Sequence, residues 1–501
     1  MAVKNSAQLH PDLPSISLLY GDSEAKELKS DVAHYTHRSL LLAAIAIPFY
    51  YLANILSISP VFLVAFLVNS LIIALTSLVV FCFSLEIYSS RKIAFALSLV
   101  FTGCSFILPY NTSLFPQPLQ ALCIVSAAYF LYKSRDINCA FIAPNSINEG
   151  STGSISNACN KRGIYFASLG GLFLGLSVFA HPTSVIVIPG FIAYNIFSSL
   201  LHRKKKIAIF LISLAVILVA LALSNYIRFG TFTEFGYYQY ASWSWSKFGW
   251  IGLIGLGISP GAGLIVFFPA VVLLPLALKY MYKENRQLFF LILYIVFANW
   301  IYFGTLSYMD PISWSGGLAW GPRYLVPVLP FITIALGTLL TRLRNNKQKQ
   351  YLIKVSIVIS IFLIGFIVNL LGTMVWIYYF HLYSWEEQKI WKYGGDRIWD
   401  QETWNPYYSP VVLDIKILAE GYVSNIQLQQ FNGTGWHFVT YGLFPCSYDL
   451  YIFCKLGVIP IIMLTAVLAT LSIFIVGRKE AHKHIRLISE SMLHFKYRER
   501  N

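Results

Sequence analysis

Arg323 is the only full charge in the segment Trp314–Pro327, WSGGLAWGPRYLVP. A guanidinium offers a planar fork of donors that fits phosphate or carboxylate oxygens. The Gly-Gly and Gly-Pro steps around it imply a shaped turn. Other residues capable of chemistry fall in similarly short segments. Asp31, His34, Tyr35, His37 and Arg38 come close together, as do Tyr110, Asn111 and Gln117. His181 opens His-Pro-Thr-Ser, and Arg228 and Glu234 lie in NYIRFGTFTEFGY (Asn225–Tyr237). Ser259-Pro-Gly-Ala-Gly263 follows. The carboxylates of Asp31 and Glu234, with His37 and His181, are of types that take a proton from a hydroxyl. Arg323 and Arg228 are of a type that holds an anion, and Trp314, Trp320, Tyr324 and Tyr110 offer ring faces to a pocket or to a membrane interface.

These segments sit at the ends of hydrophobic runs, and the runs must position them. The chain of 501 residues is 57% hydrophobic and 12% charged, too little charge to cover a soluble protein of this length. Spans are expected near 60–84, 93–109, 117–133, 163–180, 184–200, 207–226, 262–281, 288–306, 325–342, 352–376 and 456–477. The expected fold is therefore an all-α polytopic membrane protein with about eleven transmembrane helices. The run 39–57 carries Pro48, Phe49, Tyr50 and Tyr51 and suits a juxtamembrane helix, although a span is the other reading. The implied parts are an outer polar segment 1–37, a membrane core 38–376, an outer loop or cap 377–455, and a last span with a basic tail over 456–501.

Charge sorts the loops into two sets. One holds Arg91-Lys92, Lys133 to Arg162, Arg203 to Lys206, Lys279 to Arg286, Arg342 to Lys354 and the tail from Arg478, and it contains 25 of the 37 basic residues. That set is the expected cytoplasmic side, with the C-terminus inside. The net charge of +15 thus reflects membrane topology and not a nucleic-acid partner. No expected span contains an Asp, Glu, Lys, Arg or His within its apolar stretch, which disfavours an ion-coupled transporter or flippase. Chemistry is then expected at the outer surface, on a substrate with a lipid tail in the bilayer and a polar head at its boundary. The seven cysteines show no metal-ligand spacing, and Cys446 and Cys454 share an outer loop where they can pair. Asn432-Gly-Thr and Asn111-Thr-Ser fit an N-glycosylation pattern, a short match that is frequently unused.

The motifs, in this order, resemble the GT-C glycosyltransferases that use polyprenyl-phosphate sugars. They lie near the protein mannosyltransferase and aminoarabinose transferase group (glycosyltransferase family 39). HYTHRSLLLAAIAIPFYYL, ILPYNTSLFPQPLQA, GLFLGLSVFAHPTSVIVIP, ISPGAGLIVFFP and WSGGLAWGPRYLVPVLPF carry the likeness, over roughly residues 31–335. The resemblance implies a GT-C-like bundle and transfer of a sugar from a dolichyl or undecaprenyl phosphate to a glycan, lipid or protein acceptor. Such a transfer needs a base, for which Asp31, Glu234 and His37 are the candidates by residue type, Asp31 being the nearest to the family's acidic residue. The resemblance also implies a donor site drawn from Arg323, Arg228, Tyr324, Trp314, Trp320, Tyr110, Asn111 and His181. Family members place a spanning helix and an acidic outer loop before the first of these motifs; here no helix precedes residue 31, and the family's Pro-Pro is Arg38-Ser39. That departure keeps a non-catalytic subunit that binds a polyprenyl lipid as the alternative. The sequence offers no set of metal ligands, and dependence on a divalent metal stays open. A multi-pass protein of the cell membrane is expected, with the endoplasmic reticulum membrane as the alternative.

Overall fold

In a computed structural model, the described residues are 39–57, 60–135, 152–198, 203–233, 244–245, 249–307, 313–317, 319–344, 351–375, 384, 402–419, 428–431 and 436–439. They form α1 (Leu40–Ile55), α2 (Pro60–Tyr88), α3 (Arg91–Cys104), α4 (Gln117–Lys133), α5 (Thr152–Ala180), α6 (Ile188–Ser198) and α7 (Arg203–Phe229). There follow α8 (Gly249–Ile258), α9 (Leu264–Phe267), α10 (Leu274–Glu284), α11 (Arg286–Thr305), α12 (Leu329–Arg344), α13 (Tyr351–Met374) and α14 (Pro410–Ala419). Two antiparallel strand pairs complete them: Ser244–Trp245 with Leu306–Ser307, and Leu428–Phe431 with Trp436–Val439. The protein is an all-α polytopic membrane protein.

Six described helices are long and apolar enough to cross a membrane unaided: Leu67–Tyr88, Lys161–Ala180, Arg203–Phe229, Arg286–Thr305, Arg323–Leu343 and Ile353–Met374. Four other expected spans are shorter or composite. The run 117–133 is α4, with Pro118 in its first turn. The run 93–109 ends its α-helix at Cys104, where Ser105 is extended, and resumes as a 3-10 turn, Leu108–Thr112. The run 184–200 begins in a 3-10 turn, Pro182–Val187, that passes into α-helix, and the run 262–281 is α9 followed by a 3-10 turn, Pro269–Leu273, that passes into α10. Proline is the cause, since its missing N–H and its clash with the preceding turn interrupt α-helical bonding. The same device precedes α12, where Arg323–Val328 is 3-10 and contains Pro327. The expected span 456–477 lies outside the described residues.

Helix α1 has 16 residues, about 24 Å of rise, with Ser39 capping its start by accepting from the Leu42 amide at 3.2 Å. It lays Leu42, Ala46 and Ala53 against the bundle and leaves Tyr50, Tyr51 and Ile55 exposed. The larger of two buried clusters among the described residues runs through α2 to α13. The span beginning at Arg323 is its centre, with 83% of its apolar window enclosed. Helices α3, α10 and α2 pack on α12, so the first residue of the most enclosed span is the charged one.

Candidate functional site

Three chain turns meet at one end of the bundle. The 3-10 turn Leu108–Thr112 leads into α4, the turn after α5 carries His181, and the turn before α12 carries Arg323. Helix α4 packs on Arg323–Val328, and α11 packs on both Arg323–Val328 and Pro182–Val187. Residues far apart in sequence therefore share one site.

Arg323 is half-buried. Its guanidinium lies 4.9 Å from the centre of the Phe115 ring and 5.1 Å from that of Tyr324. Nη2 donates to the Tyr324 hydroxyl at 3.3 Å. The Tyr324 ring stacks on Phe303 with centroids 4.5 Å apart and planes 2° apart. Tyr110 donates through its hydroxyl to the Trp320 carbonyl at 3.1 Å. Burial pushes the Tyr110 hydroxyl well above its ordinary pKa, against a smaller opposing pull from Arg323. Asn111 and Gln117 flank Phe115 in sequence, and each has a buried side-chain oxygen with no hydrogen-bond partner among the described residues.

His181 completes the group. Its Nδ1 lies 2.7 Å from the Thr183 hydroxyl. Gln120 donates to that hydroxyl at 3.3 Å and to Ser184 at 2.8 Å. Ser184 in turn donates to the Ser177 carbonyl at 2.8 Å. Burial and then the Arg323 charge lower the imidazole pKa to about 4, so the ring is neutral at pH 7. The unfolded chain binds this proton near pH 6.5 and the folded chain does not. The resulting stability is complete above about pH 6.5 and is lost as pH falls toward 4. His181→Gln is therefore expected to flatten the fall in melting temperature of the detergent-solubilised protein between pH 6.5 and 4. An unchanged slope would show a ring that titrates normally.

The Gly-rich turn is shaped as its sequence implies. Gly316, Gly317 and Gly321 have φ of 94°, 66° and 66°, a region that side chains rarely adopt. A Cβ on Gly316 would lie 3.0 Å from that of Arg323. The two tryptophans of this segment do not offer open faces to a sugar. Trp314 is 2% exposed; its ring fills the slot that Gly252 and Gly255 leave on α8 and meets Trp404 at 5.8 Å. Trp320 is 4% exposed, edge-on to Phe267 at 5.2 Å, with its Nε1 donating to Asn369 at 3.3 Å. Both are packing residues, because the helices facing them have glycines where a side chain would have kept the rings out.

Arg228 lies in the last turn of α7, with its guanidinium 4.6 Å from the Phe229 ring centre. Helix α7 packs chiefly on α5 and α6, which does not bring it to the Arg323 turn. Asp31, His37 and Glu234 lie outside the described residues. Among the described residues no three His, Cys, Asp or Glu side chains gather in a way that could hold a metal.

The segment 402–419 was legible only as part of a long outer loop, yet it docks on the core. Gly261 N and Ser259 Oγ both donate to the Thr403 carbonyl, at 3.1 and 2.5 Å. A Cβ on Gly261 would overlap the Glu402 carbonyl, which is the packing reason for Ser-Pro-Gly-Ala-Gly. Beyond it, α14 packs on α13 and buries Asp414 at 1% exposure. Neither Asp414 oxygen has a hydrogen-bond partner among the described residues. Burial holds its carboxyl well above the usual carboxylate pKa. Its protonated form stabilises the fold fully below about pH 3.9, and that contribution is lost as pH rises through the folded-state value. Asp414→Asn is expected to raise stability at pH 7 by about 1–3 kcal/mol. A lower melting temperature at pH 7 would point to a carboxylate that is ionised and paired.

The chain matches no protein-family model and no curated protein. Among solved structures it is similar to the Archaeoglobus fulgidus oligosaccharyltransferase in its apo form, at 13% identity and a TM-score of 0.42. The match covers 67% of this chain and 48% of that one, so this chain spans about half the length of that protein.

Proposed function

We propose that the protein is a membrane glycosyltransferase. It moves a sugar from a polyprenyl phosphate, dolichyl or undecaprenyl, to a glycan, lipid or protein acceptor at the outer membrane face. The observation that carries this reading is the gathering of Arg323, Tyr324, Tyr110 and His181 where three turns meet at the head of the most enclosed span. A half-buried guanidinium at a helix end suits a phosphate whose lipid tail lies along the bundle. The buried oxygens of Asn111 and Gln117 suit donation by sugar hydroxyls.

In the reaction, an acceptor hydroxyl oxygen bonds to the anomeric carbon as that carbon's bond to the phosphate oxygen breaks. The electron pair leaves on polyprenyl phosphate, where Arg323 offsets the added charge. The hydroxyl proton passes to a base, a role for Asp31, Glu234 or His37. His181, neutral at pH 7, accepts a hydrogen bond at the same site. The excess of basic residues in one set of loops supports an active face on the opposite side and a cytoplasmic C-terminus.

The test is reconstitution in nanodiscs with a polyprenyl-phosphate hexose and a mixed acceptor pool. Release of free polyprenyl phosphate that depends on acceptor is the expected result. Saturable binding without release under any acceptor would replace the enzyme with a lipid-binding subunit. Absence of both would overturn the reading.

A further inference from the structure

At the end of the bundle away from Arg323 lies a groove of about 1290 Å³ between α6 and α11. Helix α4 separates the two places: its first turn packs near Arg323, and Arg135, just past its last turn, lines the groove. Its 17 residues span about 25 Å. The groove is therefore a separate feature, and it does not depend on the proposed transferase activity.

Polarity changes along the groove. Arg135, Asn285, Arg286 and Gln287 stand at its mouth, whereas Pro189, Ala193, Leu293 and Phe297 line its depth. From Arg286 to Phe297 the wall of α11 rises about 16 Å, close to half the hydrocarbon thickness. Phe197, Phe290 and Phe297 are 70%, 50% and 55% exposed along it, so the groove opens sideways.

The mouth is built for an anion. The Arg286 guanidinium lies over the Tyr282 and Phe290 rings at 5.2 and 5.7 Å. That of Arg135 lies over Tyr132 at 4.9 Å. The Tyr194 hydroxyl is buried beside Arg135, and neither it nor Arg135 Nε makes a well-aligned hydrogen bond among the described residues. Glu284, the acidic side chain in the lining, is engaged by Arg342 at 2.9 Å. Helix α11 also begins here, with Asn285 Oδ1 accepting from the Leu288 amide at 3.3 Å, and its positive dipole end lies at the same place.

We infer that this groove holds one anionic phospholipid of the leaflet on the Arg135 side, its phosphate between Arg135 and Arg286 and one acyl chain between α6 and α11. Two guanidiniums, a tyrosine hydroxyl and a helix N-terminus complement a phosphate diester, and the apolar half-membrane depth complements a chain. A zwitterionic lipid carries the same phosphate, but its ammonium would face the same two cations.

The probe is phosphatidylglycerol, titrated into the delipidated full chain and compared with phosphatidylcholine by native mass spectrometry. One phosphatidylglycerol retained per chain, with at least ~10-fold preference over phosphatidylcholine, is expected. Arg135→Gln with Arg286→Gln should remove the preference. Ala193→Trp, which narrows the groove without altering charge, should remove retention. The wild-type comparison stands even where a variant fails to fold. Equal retention of the two lipids overturns the proposal, as does preference that survives the double substitution in a folded protein. Arg323→Met should leave phosphatidylglycerol retention unchanged, which separates this site from the transferase reading.

Discussion

Replacing Arg323 with methionine is expected to lower transfer from a polyprenyl-phosphate sugar by about 10³-fold or more while the protein still folds and inserts. A donor aimed at developing charge is commonly worth about 10²–10³-fold, and a full charge on a leaving phosphate is worth at least that. Methionine retains much of the side-chain volume against Phe115 and Tyr324, so what is lost is chiefly charge and the fork of donors. Lysine should restore only part of the rate, because a point charge replaces two parallel hydrogen bonds. A second readout is independent of turnover. The Arg323 charge is one of two causes that depress the His181 pKa, so in Arg323→Met that pKa should move up toward its ordinary range. Transfer at the normal rate by a folded Arg323→Met variant would remove this residue from the mechanism. An unmoved His181 titration would show that the two groups are not coupled.

Asn369→Leu is expected to destabilise the protein by about 2–4 kcal/mol and to loosen the Arg323 turn. Asn369 is fully buried on α13. Its amide donates to the carbonyls of Cys104, Phe267 and Gly365 at 3.2, 2.9 and 2.7 Å. Its oxygen accepts from Trp320 Nε1 at 3.3 Å. Leucine matches the volume but leaves the Trp320 N–H and the helix-end carbonyls of Cys104 and Phe267 without this partner, in a site closed to water. Since Trp320 also receives Tyr110 on its carbonyl, the loss passes directly to the site. A lower melting temperature with slowed transfer is the expected pattern. A variant as stable as the wild type, with unchanged tryptophan fluorescence, would mean that the network carries little energy.

Partition between water and hydrocarbon is a property of each segment taken alone, and for that reason the amino-acid order already specifies a polytopic all-α protein. The same holds for its uneven loop charge and for apolar stretches without Asp, Glu, Lys, Arg or His. It also specifies the turn at Gly316, Gly317 and Gly321, whose conformations only glycine adopts freely. The 3-10 turns were present in the sequence as Pro182, Pro269 and Pro327 but were hidden by the hydropathy of the runs containing them. Contacts between distant segments follow from packing alone. Tyr110 meets Trp320 across 210 positions, and Gln120 meets Ser184 across 64. Trp314 and Trp320 look the same in sequence as rings lining a pocket; the glycines of α8 and the amide of Asn369 turn them into core. Asp414 was hidden in a loop with no periodicity to flag it, and Arg228 was left apart because α7 packs elsewhere. Hydropathy acts residue by residue along the chain, whereas a site needs several helix ends brought to the same depth, and only the packed bundle does that.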